Sequence, residues 1–349
     1  MSHRHPAGRR RAVLAVAVAT LLAVPGAAGA RVPHGPPGTA FYRPPSPLPG
    51  KGHGAPIRAR PMTGAAAVAG ARRTERVLYR SIGVSGRPVA VSGAIAIPRG
   101  RAPRGGWPVV TWAHGTSGIA DACAPSRDTG SGLAHAYNTY ISPLVASWLN
   151  AGYAVVRTDY EGLGTPGVHP YLVGTSEGRS VLDVVRAARR LHARISRDVV
   201  IAGHSQGGHA ALWAAALAPR WTPELRVRAT VAFAPASHIA EQAALIGALR
   251  SPSRVSGLVS LLLRGIDAAE PALRVRSLLG DAALSLYPQT LTRCLPELSG
   301  PGSFGGLAPA DLLRPRADTG PLVAAIGRRD DPEQLRIRTP LLIQQGAAD

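Results

Sequence analysis

Lysine is almost missing from this 349-residue chain: Lys51 is the only one among 40 basic residues, and the rest are arginine. Cysteine is down to two residues, and aromatic residues make up 5%. Acidic residues number 20 against those 40, leaving a formal charge of +20. Proteins that grip single-stranded nucleic acid need aromatic platforms, and duplex readers gather their cations into stripes. Here the arginines are scattered and the aromatics few, so no nucleic-acid partner is expected. Charge spread in this way is a solvated face, with attraction to an anionic surface as a weaker reading. No Cys or His cluster has the spacing of a zinc site, so no metal and no other cofactor is expected.

Long apolar runs are scarce too. The clearest, Ala12 to Val24, follows Arg4, Arg9, Arg10 and Arg11 and precedes Ala28-Gly29-Ala30. Positive residues, an apolar stretch and an A-x-A site form the order of a secretory signal. The run is too short to span a bilayer, and no later stretch spans one, so no transmembrane segment is expected. Residues 1–30 are read as a signal peptide cleaved near Ala30, giving a secreted, soluble protein. Arg9-Arg10-Arg11 is a poor basis for a twin-arginine route. Four charges leave with the signal, so +16 remains (20 − 4). In an oxidising compartment Cys123 and Cys294 are expected to bridge. Two unpaired buried thiols are the alternative. So long a closed loop would stabilise by on the order of 4 to 5 kcal/mol.

Residues 31–70 form a Pro/Gly-rich N-terminal segment, of which Arg31 to about Pro61 reads as neither regular helix nor strand. From there strands and helices alternate. Arg76 to Ile82 and Val89 to Ile97 read as antiparallel strands. Trp107 to Ala113 is a buried strand, and Ser142 to Asn150 a helix capped by Ser142 with Pro143 in its first turn. Tyr153 to Asp159 is a strand, Glu177 to about Ala193 a helix, and Val227 to Ala234 a strand. Such alternation predicts an α/β fold with a mainly parallel sheet covered by helices on both faces, here over a core of residues 71–236. Between 237 and 336 helical patterns take over (Ala240 to Leu249, Val255 to Ile266, Ala272 to Leu279), which predicts an inserted helical cap. The strand pattern returns within 337–349, at Thr339 to Gln345.

The most informative stretch is Asp198-Val-Val-Ile-Ala-Gly-His-Ser-Gln-Gly-Gly-His209. A Gly-x-Ser-x-Gly turn between a β-branched strand and a helix of small residues is the nucleophile elbow of the α/β-hydrolase fold. The bare pattern also occurs at Gly174-Thr-Ser-Glu-Gly178. That copy opens an amphipathic helix, which makes Thr175 or Ser176 a cap and Glu177 a first-turn carboxylate. Ser205 is therefore the candidate nucleophile. Ester hydrolysis builds charge on a carbonyl oxygen, and backbone N–H donors stabilise it. The N–H of Gln206 is one candidate donor. The loop after Ala113, His114-Gly-Thr-Ser-Gly118, offers the others at Gly115 and Thr116, with His114 shaping that loop. Gln345-Gly-Ala-Ala-Asp349 fits the acid loop, with Asp349 as the orienting carboxylate. Asp159 ends a strand but precedes the serine, so it reads as structural, bonding backbone near Tyr160-Glu-Gly-Leu-Gly-Thr165.

Together these residues bring a family into view. Phe41-Tyr-Arg-Pro-Pro-Ser-Pro-Leu-Pro49, His114-Gly-Thr with Cys123-Ala-Pro-Ser126, Asp159-Tyr-Glu-Gly-Leu-Gly-Thr165, Tyr171-Leu-Val-Gly-Thr-Ser-Glu-Gly-Arg179, Gly203-His-Ser-Gln-Gly-Gly208 and Gly346-Ala-Ala-Asp349 resemble the secretory lipases of the lipase A type, which are α/β-hydrolases. The resemblance implies triacylglycerol lipase or broad esterase activity, a helical cap over an acyl pocket, a disulfide from Cys123, and Asp349 as the triad acid. The substrate would be a lipid or small ester, met at a lipid–water interface, by a protein read as a monomer. Chain order in such hydrolases is serine, acid, histidine. On that order the last strand and the histidine loop are missing, and the sequence is expected to be a C-terminally truncated fragment, weak or inactive alone. His204, His209, His238, His135 and His169 are poor substitutes. Two other classes stay open: an inactive binding protein for lipid or cell-wall material, and an acyltransferase, because the pocket chooses the acceptor.

Overall fold

The structure is a computed structural model that describes residues 1–3 and 32–347. Residues 4–30 of the expected signal peptide, its expected cleavage site near Ala30, and Asp349 lie outside the described residues. In chain order the sheet and its helices are β1 (Pro56–Pro61), β2 (Arg73–Ile82), β3 (Pro88–Ile97), β4 (Trp107–Ala113), α1 (His135–Thr139), α2 (Ser142–Asn150), β5 (Ala154–Glu161), α3 (Gly174–Leu191), β6 (Ile195–His204), α4 (Gln206–Trp221) and β7 (Arg226–Phe233). The helical segment holds α5 (Ile239–Gly247), α6 (Val255–Ala269), α7 (Asp281–Leu286), α8 (Leu295–Leu298) and α9 (Gly320–Arg329) before β8 (Leu341–Gln344). One eight-stranded sheet runs β1-β2-β3-β5-β4-β6-β7-β8. The pairs from β1 through β5 are antiparallel and those from β5 to β8 parallel.

Side-chain alternation explains why the central strands sit where they do. On β4 and β6, Val109, Ala113, Val199 and Ile201 join the apolar layer under α3 and α4, while Val110, Trp112 and Ala202 join the layer under α2. A strand apolar on both sides of its pleat is stable only with both faces covered. α3 approaches α4 closely because Gly174 and Gly178 lie one turn apart on the contact. A Cβ on Gly174 would stand 2.0 Å from the Trp213 ring, and one on Gly178 2.9 Å from the Ala214 nitrogen. Those glycines of the second Gly-x-Ser-x-Gly match serve helix packing.

Several expectations need correction. The stretch from Arg31 to about Pro61 is not devoid of regular structure. β1 pairs with β2 along the sheet edge, where Pro56 and Pro61, at the strand's two ends, cost little hydrogen bonding. Phe41 and Tyr42 are buried beside Ile57 and Leu78. Arg127 lies over the Tyr42 ring at 4.3 Å, and the Tyr42 hydroxyl meets Ser126 Oγ at 2.9 Å. Ser142 is the first helical residue of α2 rather than its cap; the cap position is Ile141, with no side-chain bond. The helix read over Ala272 to Leu279 is two 3-10 turns, Pro271–Leu273 and Val275–Leu278, separated by Arg274 at φ 50°. A left-handed residue interrupts the helical path so that Val275 and Leu279 both turn inward.

The helical segment has its own apolar cluster, including Leu261, Ile266, Leu279, Tyr287, Leu298, Phe304 and Ile326. It packs on the turn before α3 at Gly265, where an added Cβ would meet the Tyr171 carbonyl oxygen at 2.5 Å. No helix among the described residues is long and apolar enough to cross a membrane.

Candidate active site

β6 ends at His204, and the chain reverses into α4 through Ser205. Ser205 adopts φ 56°, ψ −121°, a conformation that costs a non-glycine residue on the order of 1–3 kcal/mol. Its surroundings impose the bend. A Cβ on Gly203 would stand 2.0 Å from the Gly207 carbonyl oxygen, and one on Gly207 1.9 Å from that of Ala113. Both collisions are with backbone, which cannot swing aside. The Ser205 N–H donates to the Phe233 carbonyl at 2.9 Å, and the Ser205 carbonyl accepts from the His209 N–H at 3.0 Å. The serine is left half-exposed at the sheet's C-terminal edge. Gly207→Ala is therefore expected to destabilise the protein by about 3 kcal/mol or more, at the top of the range for overpacking. A denaturant midpoint unchanged from wild type would show that the bend is not so tight.

The loop after β4 lies against this bend. A Cβ on Gly115 would be 3.6 Å from the Ser205 Cβ and 3.3 Å from the His204 carbonyl oxygen. Buried aromatic groups back the loop. The Tyr160 hydroxyl donates to the His114 carbonyl at 2.8 Å, His114 Nδ1 donates to the Gly115 carbonyl at 2.7 Å, and Thr116 Oγ1 meets the Tyr171 hydroxyl at 2.7 Å. His114 stacks near Tyr160 with ring centres 4.5 Å apart; burial lowers its pKa and keeps it neutral. Gln206 opens α4, so its N–H has no acceptor within the helix and sits at the positive end of the dipole.

Behind the elbow is a buried polar network. Glu177, in the first turn of α3, is fully buried. Its Oε1 accepts from the Leu172 N–H at 2.9 Å and from Gln206 Nε2 at 2.7 Å. Its Oε2 faces His209 Nδ1 at 3.1 Å. His169 Nδ1 donates to the Glu161 carbonyl at 2.9 Å, and burial lowers its pKa to about 4. The neutral ring thus presents Nε2 as an acceptor to Gln206 Nε2, 2.9 Å away. Asp330, just after α9, has its backbone carbonyl on His209 Nε2 at 2.6 Å. Its buried carboxyl has no partner on either oxygen among the described residues. Burial first, then Glu177 and Asp331, pushes its pKa well above the usual carboxylate range. A carboxyl whose pKa rises on folding supports the fold while protonated and costs stability as pH climbs from its unfolded value through its folded one. Asp330→Asn is expected to match wild type near pH 4 and to exceed it in thermal stability at pH 8. Parallel pH–stability curves would refute this.

Three histidines close to the elbow are engaged elsewhere, while His114 keeps Nε2 without a partner among the described residues. His209 faces acceptors on both nitrogens, His204 Nδ1 meets the Tyr140 hydroxyl at 2.8 Å, and His169 is committed as above. His135 pairs with Asp128 at 2.9 Å and His238 with Glu333 at 3.2 Å. Among the described residues, no imidazole hydrogen-bonds Ser205. Cys123 and Cys294 form a disulfide, and the Leu295 N–H donates to the Ser117 carbonyl at 2.9 Å beside it. The bridge thereby fastens the 114–118 loop to the helical segment.

Two residues have partners other than those read from the sequence. α3 begins at Gly174 with Val173 at its cap and no side-chain bond there. Ser176, predicted to cap, donates instead to Glu161, because the helix starts earlier and the hydroxyl faces β5. Asp159 stays structural, but the backbone it bonds belongs to the turn beside the 160–165 loop: it accepts from Ser92 Oγ at 2.6 Å, from the Ser126 N–H at 2.9 Å, and from Ser126 Oγ. It ties the Cys123-Ala-Pro-Ser126 turn to the sheet.

A family model described as secretory lipase matches residues 131–295. That segment is similar to the secretory lipases. Lipase A of Moesziomyces aphidis is 34% identical over 110 residues, which are 30% of this chain and 23% of that protein. Lipase 2 of Candida albicans is 31% identical over 183 residues, 50% of this chain and 38% of that protein. These alignments span well under half of either relative. Among solved structures, Candida antarctica lipase A superposes with a TM-score of 0.73 at 21% identity, covering 87% of this chain and 72% of that one. The rice cell wall degrading esterase LipA from Xanthomonas oryzae gives 0.68 at 21% identity, covering 86% and 84%. At such identity the likeness establishes the fold, which is that of the α/β-hydrolases.

The sequence pointed to Ser205, Gln206, Gly115 and Thr116; Ser205 and Gln206 form the bend, and Gly115, which Thr116 follows, lies against it. It did not point to the Glu177–Gln206–His169 linkage or to Asp330. Glu177 looked like an ordinary first-turn carboxylate, and only the approach of α3 to α4 turns it inward. A glutamate set between two glycines one turn apart was the available signal.

Proposed function

We propose that the protein is a secreted carboxylic-ester hydrolase of the lipase A type, acting on triacylglycerols or shorter esters through an acyl-enzyme. The strained, half-exposed Ser205 beside Gly115 is the observation that carries this reading. Ser205 Oγ attacks the ester carbonyl and its proton passes to a histidine. The oxyanion is held by the Gln206 N–H and by N–H groups of the Gly115–Thr116 turn, each such donor worth about 3–4 kcal/mol in related sites. The alcohol leaves with the histidine's proton, and water then releases the acid and restores the serine. His204, His209 and His169 are committed to other partners and His114 precedes the acid, so the base is sought after Asp349, where the order serine, acid, histidine puts it. Asp349 would orient it. The secretory family and the signal-like residues 1–30 support export with cleavage near Ala30. The test is acid release by the natural protein from emulsified tributyrin and from p-nitrophenyl esters, with Ser205→Ala as control. No release, or equal release by both forms, rejects the reading.

A further inference from the structure

We infer that Glu177 is a positioning residue that holds both groups of oxyanion donors in register, an inference that rests on the hydrolase reading above. One carboxylate oxygen receives two bonds from opposite sides of the site: Gln206 Nε2 at 2.7 Å and the Leu172 N–H at 2.9 Å. The first bond belongs to the residue whose backbone N–H opens α4. The second fixes Leu172, a non-glycine residue at φ 63°, directly after Tyr171. The Tyr171 hydroxyl in turn holds Thr116 Oγ1 at 2.7 Å. Gln206 and Thr116 thus hang from a single buried anchor on α3.

The Gln206 amide is fully specified by this arrangement. Its NH2 group donates one hydrogen to Glu177 Oε1 and the other to His169 Nε2. The neutral ring accepts because its Nδ1–H is spent on the Glu161 carbonyl. The amide therefore cannot turn over without setting a carbonyl oxygen against a carboxylate. A locked side chain at the first residue of α4 leaves the Gln206 N–H little freedom to swing from the bend. Oxyanion donors act through fixed placement before the charge develops, and a supporting shell left loose degrades a site without removing any of its groups. Glu177 touches no reacting atom. Its action on the reaction runs through Gln206 and the Tyr171–Thr116 contact.

Glu177→Gln keeps the shape but replaces the carboxylate by a neutral amide, whose NH2 can turn to His209 Nδ1 and whose oxygen holds Gln206 and Leu172 by weaker, uncharged bonds. Gln206→Met cuts the link at its other end and leaves Glu177 its bonds to Leu172 and His209. In the natural protein both variants are expected to lower kcat for p-nitrophenyl butyrate by ~10- to 100-fold, short of the ~10²- to 10³-fold of an outright donor loss. KM is expected to change less than about threefold. The deciding readout is inhibition by an alkyl trifluoromethyl ketone, whose adduct with Ser205 carries the oxyanion. Its Ki should rise by the same factor as kcat falls, while the Ki of the matching secondary alcohol, a ground-state analogue, stays constant. A merely structural role would lower the melting temperature and leave these ratios alone. If Glu177→Gln fails to fold, Gln206→Met decides: wild-type kcat and ketone affinity in that variant overturn the inference. Loss of activity in Ser205→Ala together with unaffected Glu177→Gln and Gln206→Met overturns the inference alone. Activity that survives Ser205→Ala overturns the hydrolase reading itself.

Discussion

Ester hydrolysis by the natural protein is expected to fall by about 10⁴-fold or more when Ser205 becomes alanine, with nearly all of the loss in kcat. The magnitude follows from what the serine supplies. Among the described residues it is the hydroxyl that the bend itself presents for the covalent intermediate, and without it the residual rate comes from oxyanion donors and substrate binding. The fold should tolerate the change. Alanine keeps the Cβ, so the space beside Gly115 is unchanged, and the bonds to Phe233 and His209 are made by the Ser205 backbone. Initial rates on p-nitrophenyl butyrate, with circular dichroism melts of both forms, check the expectation. A drop of less than about tenfold would mean that another nucleophile does the work.

The second large effect lies in the disulfide. Cys123–Cys294 joins positions 171 residues apart. Closing a loop of that length removes unfolded-chain entropy worth on the order of 5 kcal/mol in the chain-entropy model, less any native strain. The double variant Cys123→Ser, Cys294→Ser should therefore unfold at markedly lower guanidinium concentration. Activity should fall before global unfolding, because the bridge and the adjacent Leu295-to-Ser117 bond hold the loop that carries Gly115 and Thr116. An unaltered midpoint would contradict the stability estimate, and full activity up to the unfolding midpoint would contradict the link to the loop.

The parts of this molecule legible from sequence are those whose causes are local. Val199 to Ala202 are apolar at every position because both faces of β6 are covered, and Gly203 and Gly207 flank the serine because backbone passes within 2.0 Å of where their side chains would be. Such constraints leave a mark at each residue. β1 was missed because Pro56 and Pro61 hide a strand that tolerates proline only through its place at the sheet edge. The break at Arg274 was missed because nothing in arginine announces a left-handed backbone; the demand comes from Val275 and Leu279, which must both face the helical segment's core. At the site, the roles of Glu177 and Asp330 depend on groups brought from α4, the 169–172 turn and the end of α9. Their partners are distant in sequence, so spacing could not reveal them.

Whether Ser205 is the group that becomes acylated can be read directly. The natural protein, exposed to an alkyl fluorophosphonate and digested, should carry a single phosphonyl adduct on the peptide containing Ser205, and Ser205→Ala should carry none. An adduct at another residue, or hydrolysis that proceeds while Ser205 stays unlabelled, would contradict the assignment.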